Sequence, residues 1–257
     1  MEIKSYAKVN LYLLVHKYNK KIGLHKLDSV LTKAGNLYDT INIYKNEKDD
    51  TSKIRYFTGS GQLIKFEDCV VKRILNLLND FGIKTNYKID IYKKIPIQAG
   101  LGGGSSNAAA VAKYILDENK IKPTPKLLRE IVKIGSDIPF FLSKFTVARI
   151  TSYGEKVKQI KLPFNIEIEI ANNGIACNTK TVFDKYRSLE KKEKIKGDKQ
   201  LKLLKEKNFN ALRNQLQQAC FIAYPEVKEF TARLNENING NRFKLSGSGS
   251  TLFRVIE

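Results

Sequence analysis

From Ala7 to Val15 the chain alternates, with Ala7, Val9, Leu11, Leu13 and Val15 on one side and Lys8, Asn10 and Tyr12 on the other. That two-residue period predicts a β-strand whose second face carries polar groups. The same period marks Tyr38–Tyr44, Tyr87–Tyr92 and Phe164–Ile170 as strands, the last half-buried. Between Cys69 and Phe81 the spacing changes. Val70, Ile74, Leu77, Leu78 and Phe81 recur three or four apart, which predicts an amphipathic helix stopped by Gly82. Pro125 opens another helix through Ile134, and Val147–Ile150 reads as a short strand. Further on, Asp184–Lys207 is lysine-rich and partly helical in pattern, with helices expected around Leu212–Cys220 and from Pro225 to near Gly240. Strands Arg242–Leu245 and Thr251–Ile256 flank a Gly-Ser loop. Strands and helices occur in both halves without a repeat or a long linker. The pattern predicts an α+β protein of two units, 1–155 and 156–257.

One segment breaks every period. Pro96-Ile97-Gln98-Ala99-Gly100-Leu101-Gly102-Gly103-Gly104-Ser105-Ser106-Asn107 follows a strand and leads into the alanine-rich helix from Ala108 to Leu116. Four glycines in five positions let the backbone take positive φ and approach a ligand closely. The serines and asparagine are residue types that cap helices. A glycine loop feeding a helix N-terminus aims unpaired N–H groups and a positive dipole at one spot, the makings of a phosphate cradle. It is not a Walker A loop, because no lysine precedes Ser105-Ser106. It is not a dinucleotide fingerprint either, since Asp117 and Glu118 come too early and lie in the helix's own tail. A ligand-free glycine turn is the simpler reading, but turns rarely combine four glycines with two serines.

Composition narrows the classes. The 257 residues suffice for a sizeable core. A formal charge of +20 points towards polyanionic partners, and a basic RNA-binding protein is the reading from outside the enzymes. Against that, the lysines are spread through almost every segment, densest at Lys20-Lys21 and Lys191–Lys196, and nothing resembles an aromatic-and-arginine stacking platform. No specific nucleic-acid contact is therefore expected. Cys69, Cys177 and Cys220 are odd in number and form no CxxC pair, which suggests reduced thiols of a cytoplasmic protein. No run reaches the length of a membrane span, and Val9–Val15 lacks the features of a signal peptide.

Pro96 to Ala109 resembles the ATP-binding motif of the GHMP kinases. Four further segments resemble that family in the same order: Ala7-Lys8-Val9-Asn10-Leu11, Gly23-Leu24-His25, Gly135-Ser136-Asp137-Ile138-Pro139-Phe140-Phe141 and Ser246-Gly247-Ser248-Gly249-Ser250-Thr251-Leu252-Phe253. The resemblance implies a first unit like ribosomal protein S5 domain 2 and a ferredoxin-like second unit. It also implies ATP as phosphoryl donor, Mg2+ with unassigned protein ligands, and a small alcohol as acceptor. The branch most resembled phosphorylates the 2-hydroxyl of a methylerythritol carried on cytidine diphosphate, in isoprenoid precursor synthesis. Homoserine or mevalonate is the acceptor to expect if the cytidine pocket is absent. Oligomeric state is not legible.

Phosphoryl transfer asks for positioning and charge neutralisation. The loop from Pro96 to Ser106 would hold the ATP phosphates. Asp137, between Gly135 and Pro139, reads equally as a helix cap and as a base that takes the acceptor's proton; the resemblance implies the base. Lys8 by itself would be one more surface lysine, but its place beside Asn10 on the polar face of a buried strand makes it the partner of that carboxylate. Asn10, His25, Thr179 and Phe183 are the expected substrate contacts, His25 on the cytosine edge and Phe183 stacked on the ring, although each also reads as structural. Leu24 stands where the family usually carries an aromatic residue, Ser250 replaces its usual proline or alanine, and Ile150–Glu155 keeps only the final Gly-Glu of a glycine-richer turn.

Overall fold

A computed structural model describes residues 1–47, 51–65, 69–190 and 193–256. Its spine is a long antiparallel hairpin of β1 (Glu2–Asn19) and β2 (Leu24–Lys45), paired from Glu2 opposite Asn42 to Asn19 opposite Leu24. One β2 edge takes β1. Along the other, Thr40–Lys45 pairs with β5 (Tyr87–Lys93) and Leu27–Thr32 with β6 (Val147–Ser152). Outside these lie β3 (Lys53–Thr58), parallel to β5, then β4 (Leu63–Ile64) on one side and β7 (Lys156–Gln159) on the other. The first sheet thus runs past residue 155, through Gln159. Helices α1 (Val70–Asp80), α2 (Gly103–Glu118) and α3 (Pro125–Ile134) cover it, seating Ile74, Val111 and Ile131 on Ile41, Ile43, Ile89 and Ile91. A one-turn helix, α4 (Ile138–Leu142), follows.

The second sheet is antiparallel, β8 (Glu167–Ala171), β10 (Leu252–Ile256) and β9 (Lys244–Leu245) in spatial order. With it pack α5 (Thr179–Ser188), α6 (Gly197–Lys205), a 3-10 turn at Phe209–Ala211, α7 (Gln217–Ala223) and α8 (Pro225–Asn235). The α+β expectation holds, but the two units share the hairpin. Val9, Leu11 and Leu14 lie in one apolar cluster with Phe253 and Val255, while Leu13, Val15 and Leu27 lie in another with Val182 and Leu216. Being covered on both faces explains why every residue from Ala7 to Val15 is buried.

Several elements differ from the sequence pattern. β2 begins well before Tyr38, because its first half is a buried mid-sheet segment carrying Asp28, Ser29 and Thr32, whose polar groups mask the alternation. The expected helix at Leu212–Cys220 is helical only from Gln217, where α7 begins; before it Arg213–Gln215 pairs against Leu13, behind a 3-10 turn that ends at Ala211. α5 already begins at Thr179, ahead of the lysine-rich stretch, and α6 lies inside that stretch; Lys191 and Lys192 of its densest run lie outside the described residues. Tyr12 does not join Lys8 and Asn10: the strand register shifts between Asn10 and Tyr12, and the Tyr12 hydroxyl turns to Asp28 Oδ1 at 3.0 Å. Asp28 in turn takes a two-pronged bond from Arg149 at 2.8 and 2.6 Å, and Arg149 also reaches Asp198 on α6 at 2.7 Å. All three cysteines are free thiols, and Cys177 and Cys220 meet in the second core.

Candidate active site

The glycine loop is held from behind by its carbonyls. Gln98 O accepts from Cys177 N at 2.9 Å, Ala99 O from Thr251 N at 3.1 Å, Gly100 O from Ser246 Oγ at 3.0 Å and Leu101 O from Lys8 N at 2.9 Å. Gly100 has φ 74°, and a Cβ there would lie 2.1 Å from Ser246 O, so the two glycine-serine loops meet backbone to backbone. Gly102, at φ 68°, occupies the cap position of α2 without any side-chain bond. The first amides of α2, those of Gly103, Gly104 and Ser105, have no acceptor among the described residues. Three orphan donors at a positive helix end make an anion seat.

α2 begins at Gly103, ahead of the serines, so Ser105, Ser106 and Asn107 are not its caps. Ser105 Oγ faces the Gly135 turn, 3.0 Å from where a Cβ on Gly135 would sit. Ser106 is buried and its hydroxyl accepts from Ser5 Oγ at 2.7 Å, while its own amide donates to Gly102 O; both groups are engaged inside the protein. Asn107 donates to Asp39 at 2.9 Å. Asp39, fully buried, also accepts from the Lys94 and Ile95 amides at 2.7 and 2.9 Å and from Lys93 Nζ. Burial pushes the Lys93 ammonium pKa down, which Asp39 opposes. This network fixes the strand-to-loop junction. Outside it lies a cavity of about 400 Å³ lined by Thr58, Ile64, Lys93, Pro96 and Ile97.

Lys8 and Asp137 come together, as the sequence led us to expect. Lys8 Nζ lies 3.4 Å from Asp137 Oδ2 and donates to Asn10 Oδ1 at 2.6 Å and to Gly100 O at 2.8 Å. Lys8 is 3 % exposed and Asp137 24 %. Asp137 stands at the first position before α4, yet its side chain makes no capping bond. The cap reading therefore fails and the carboxylate faces Lys8. Asn10 is engaged at both ends, by Lys8 and, through Nδ2, by Ser29 Oγ at 2.9 Å, so it orients the lysine. Gly102 and Gly247 close over Lys8: a Cβ at either would come within 3.0 Å of Cε or 3.2 Å of Nζ, respectively.

His25 and Phe183 stack with ring centroids 5.6 Å apart and planes 25° apart. The histidine Nδ1 lies 2.8 Å from His16 O. Sequence reasoning missed Tyr18, directly opposite His25 on the hairpin and 4.9 Å from it centroid to centroid. Tyr186 adds an edge contact at 6.0 Å. The signal for Tyr18 was present: Gly23, at φ 70°, closes a tight turn back to Asn19 that sets Tyr18 against His25. Leu24 leaves one aromatic absent, and Tyr18 supplies another from the facing strand. Thr179, exposed at the start of α5, shares a 3.0 Å hydrogen bond with Ser248 Oγ, one residue from Gly247 beside Lys8.

A glycine-built anion seat beside a lysine–aspartate pair, in this two-sheet frame, defines a small-molecule kinase of the GHMP class, and the profile described as GHMP kinases N terminal domain matches residues 69–144. Curated relatives sharpen this. A 4-diphosphocytidyl-2-C-methyl-D-erythritol kinase of Ureaplasma parvum serovar 3 is 36% identical over 99% of this chain and 95% of its own. One of Pelagibacter ubique is 32% identical over 98% and 87%. A crystal structure of 4-(cytidine 5'-diphospho)-2C-methyl-D-erythritol kinase superposes with a TM-score of 0.74 at 27% identity, covering 100% of this chain and 90% of that one. The chain belongs to the 4-diphosphocytidyl-2-C-methyl-D-erythritol kinase family.

Proposed function

We propose that this chain transfers the γ-phosphoryl group of ATP to the 2-hydroxyl of 4-diphosphocytidyl-2-C-methyl-D-erythritol, as the names of its relatives suggest. The observation that carries the reading is the row of free amides at Gly103–Ser105 beside the Lys8–Asp137 pair. The amides take the phosphate oxygens of ATP, and the 400 Å³ cavity beyond Pro96 is of a size and position to take its nucleoside. Asp137 accepts the proton of the acceptor hydroxyl. The freed oxygen bonds to the γ-phosphorus as the bond to the β–γ bridging oxygen breaks, and ADP leaves. Lys8 orients the Asp137 carboxylate and offsets charge on the transferring group. One carboxylate and the Ser105 hydroxyl suit a Mg2+ that keeps most of its ligands as water and phosphate, as that ion prefers; when bound it would neutralise the phosphates.

The cytidine lies against the aromatic cluster of Tyr18, His25 and Phe183, and α5 ties that cluster to the catalytic corner through Thr179 and Ser248. Residues 1–155 carry the ATP seat and the base, and 156–257 supply α5 and the closing loop. No helix among the described residues is long and apolar enough to cross a membrane. The free thiols suit a reducing, cytoplasmic setting. The test is magnesium-dependent ADP release with three acceptors offered separately: the cytidyl-methylerythritol diphosphate, mevalonate and homoserine. Turnover with the first alone is expected. Turnover with another would keep the ATP seat and discard the cytidine reading, and silence with all three would refute the kinase assignment.

A further inference from the structure

A second cavity, of about 670 Å³, opens between the 3-10 turn, the C-terminal end of α8 and β9. Lys244 lines it and donates to three backbone carbonyls, Phe209 O at 2.5 Å, Asn210 O at 2.7 Å and Leu212 O at 2.8 Å. Its hydrogens are used up, but its charge is not: no carboxylate pairs with it among the described residues. Burial and the Arg213 guanidinium push its pKa down to about 8, the mark of a cation short of negative neighbours. Arg213 and Arg242 line the same cavity, both exposed and neither held in an ion pair among the described residues. Two of the asparagines that share the lining are committed to backbone carbonyls. Asn210 bonds Gly240 O at 2.9 Å, and Asn235 bonds Phe243 O at 3.1 Å. Gln217 and Asn239 add neutral polar groups to the lining, and the two guanidinium forks are its uncommitted charges.

We propose that this cavity is a second anion site, taking a small polyphosphate whose diphosphate group is gripped by the Arg213 and Arg242 forks over the positive charge of Lys244. A planar fork matches two phosphate oxygens at once, and three cations without a carboxylate favour a ligand with more than one negative charge. The site is wired to the catalytic corner. Asn214, also in its lining, donates to Leu245 O at 2.9 Å and Gly247 O at 2.8 Å, and Gly247 abuts the Lys8 ammonium. An anion that draws Arg213 inward pulls on its neighbour Asn214 and so on the loop that closes over Lys8. This proposal stands apart from the identity of the acceptor.

The experiment uses the full chain with the glycine loop saturated by a non-hydrolysable ATP analogue, magnesium in excess throughout and salt at about 150 mM. Inorganic pyrophosphate, inorganic phosphate and a short RNA oligomer are each titrated by calorimetry. One pyrophosphate is expected to bind per chain, more tightly than phosphate. The double variant R213Q/R242Q should weaken it by at least about tenfold, the scale of losing charge-assisted hydrogen bonds. R213K/R242K, which keeps the charge but not the forks, should fall between. Lys156 and Lys158 on the β7 edge serve as the charge control, and K156Q/K158Q should bind as the unaltered chain does. Absence of pyrophosphate binding, an equal loss in the control, or RNA binding without pyrophosphate binding would overturn the proposal.

Discussion

The corner around Lys8 and the aromatic cluster around His25 are built in opposite ways. At the corner the candidate working groups are backbone amides and one ion pair, and the four carbonyls behind them, Gln98 O to Leu101 O, are held by Cys177, by Thr251 and Ser246 of one loop, and by Lys8. At the cluster the candidate working surface is side chains alone, half-exposed rings from β1, β2 and α5, with Phe183 stacked on His25 and Tyr18 tilted against it. Backbone construction allows almost no change of residue, because a Cβ at Gly100 would strike Ser246 O at 2.1 Å. Side-chain construction allows an aromatic ring to be lost at Leu24 and another to stand at Tyr18. On the proposed reading the first region meets the phosphate donor and the second the acceptor, so rigidity belongs at the first and latitude at the second.

The sharpest way to break this division is D137N. The variant keeps shape but cannot take the acceptor's proton, so kcat should fall by about a hundred- to ten-thousand-fold while affinity for an ATP analogue stays within about twofold. Retained turnover would remove Asp137 as the base. Next is G103V. Its side chain meets Ile95 Cγ2 at 3.0 Å and Lys93 Nζ at 3.2 Å and screens the neighbouring amides. Losing one charge-assisted bond to phosphate predicts a roughly ten- to hundredfold rise in KM for ATP, with KM for the acceptor little changed. Unchanged ATP affinity would make the loop merely structural.

Y18A probes the other region. Base stacking is worth about 1–3 kcal/mol, and a half-exposed ring belongs at the low end, so KM for the cytidine substrate should rise about tenfold with ATP unaffected. L24Y placed in that background should recover part of the loss; no recovery would mean that the two positions do not serve one surface. The smallest effect is expected from T179A, which deletes the bond to Ser248 linking the regions. It should cost about 0.5–1.5 kcal/mol of stability, read by denaturant unfolding, and shift KM for the cytidine substrate only a few-fold.

The same contrast explains what could be read from the chain beforehand. The glycine loop, the helix from Cys69 to Phe81 and the Pro125 helix were legible because Gly and Pro impose local geometry and Val70, Ile74 and Leu78 repeat at a helical period. Thr124 and Cys69 cap those helices through their own side chains. Lys8 and Asp137 were legible through resemblance, and the structure added that the aspartate is free of capping. What stayed hidden depends on distant pairing. The Asp39–Lys93–Asn107 network joins three elements, and Tyr18 counts only because the hairpin sets it opposite His25. The first half of β2 was masked by its buried Asp28, Ser29 and Thr32, of which Ser29 finds its partner on β1 and Asp28 on β6. Ser106 looked like a phosphate ligand by position, yet its hydroxyl is bonded to Ser5.

The central claim is that the two regions bind their ligands separately. Its most direct test is to titrate a non-hydrolysable ATP analogue and cytidine diphosphate independently into the unaltered chain and into Y18A/F183A, with unfolding monitored alongside. The account predicts that the double variant binds the ATP analogue as before and loses at least about tenfold in affinity for cytidine diphosphate. Loss of both ligands in a folded variant, or of neither, would contradict it.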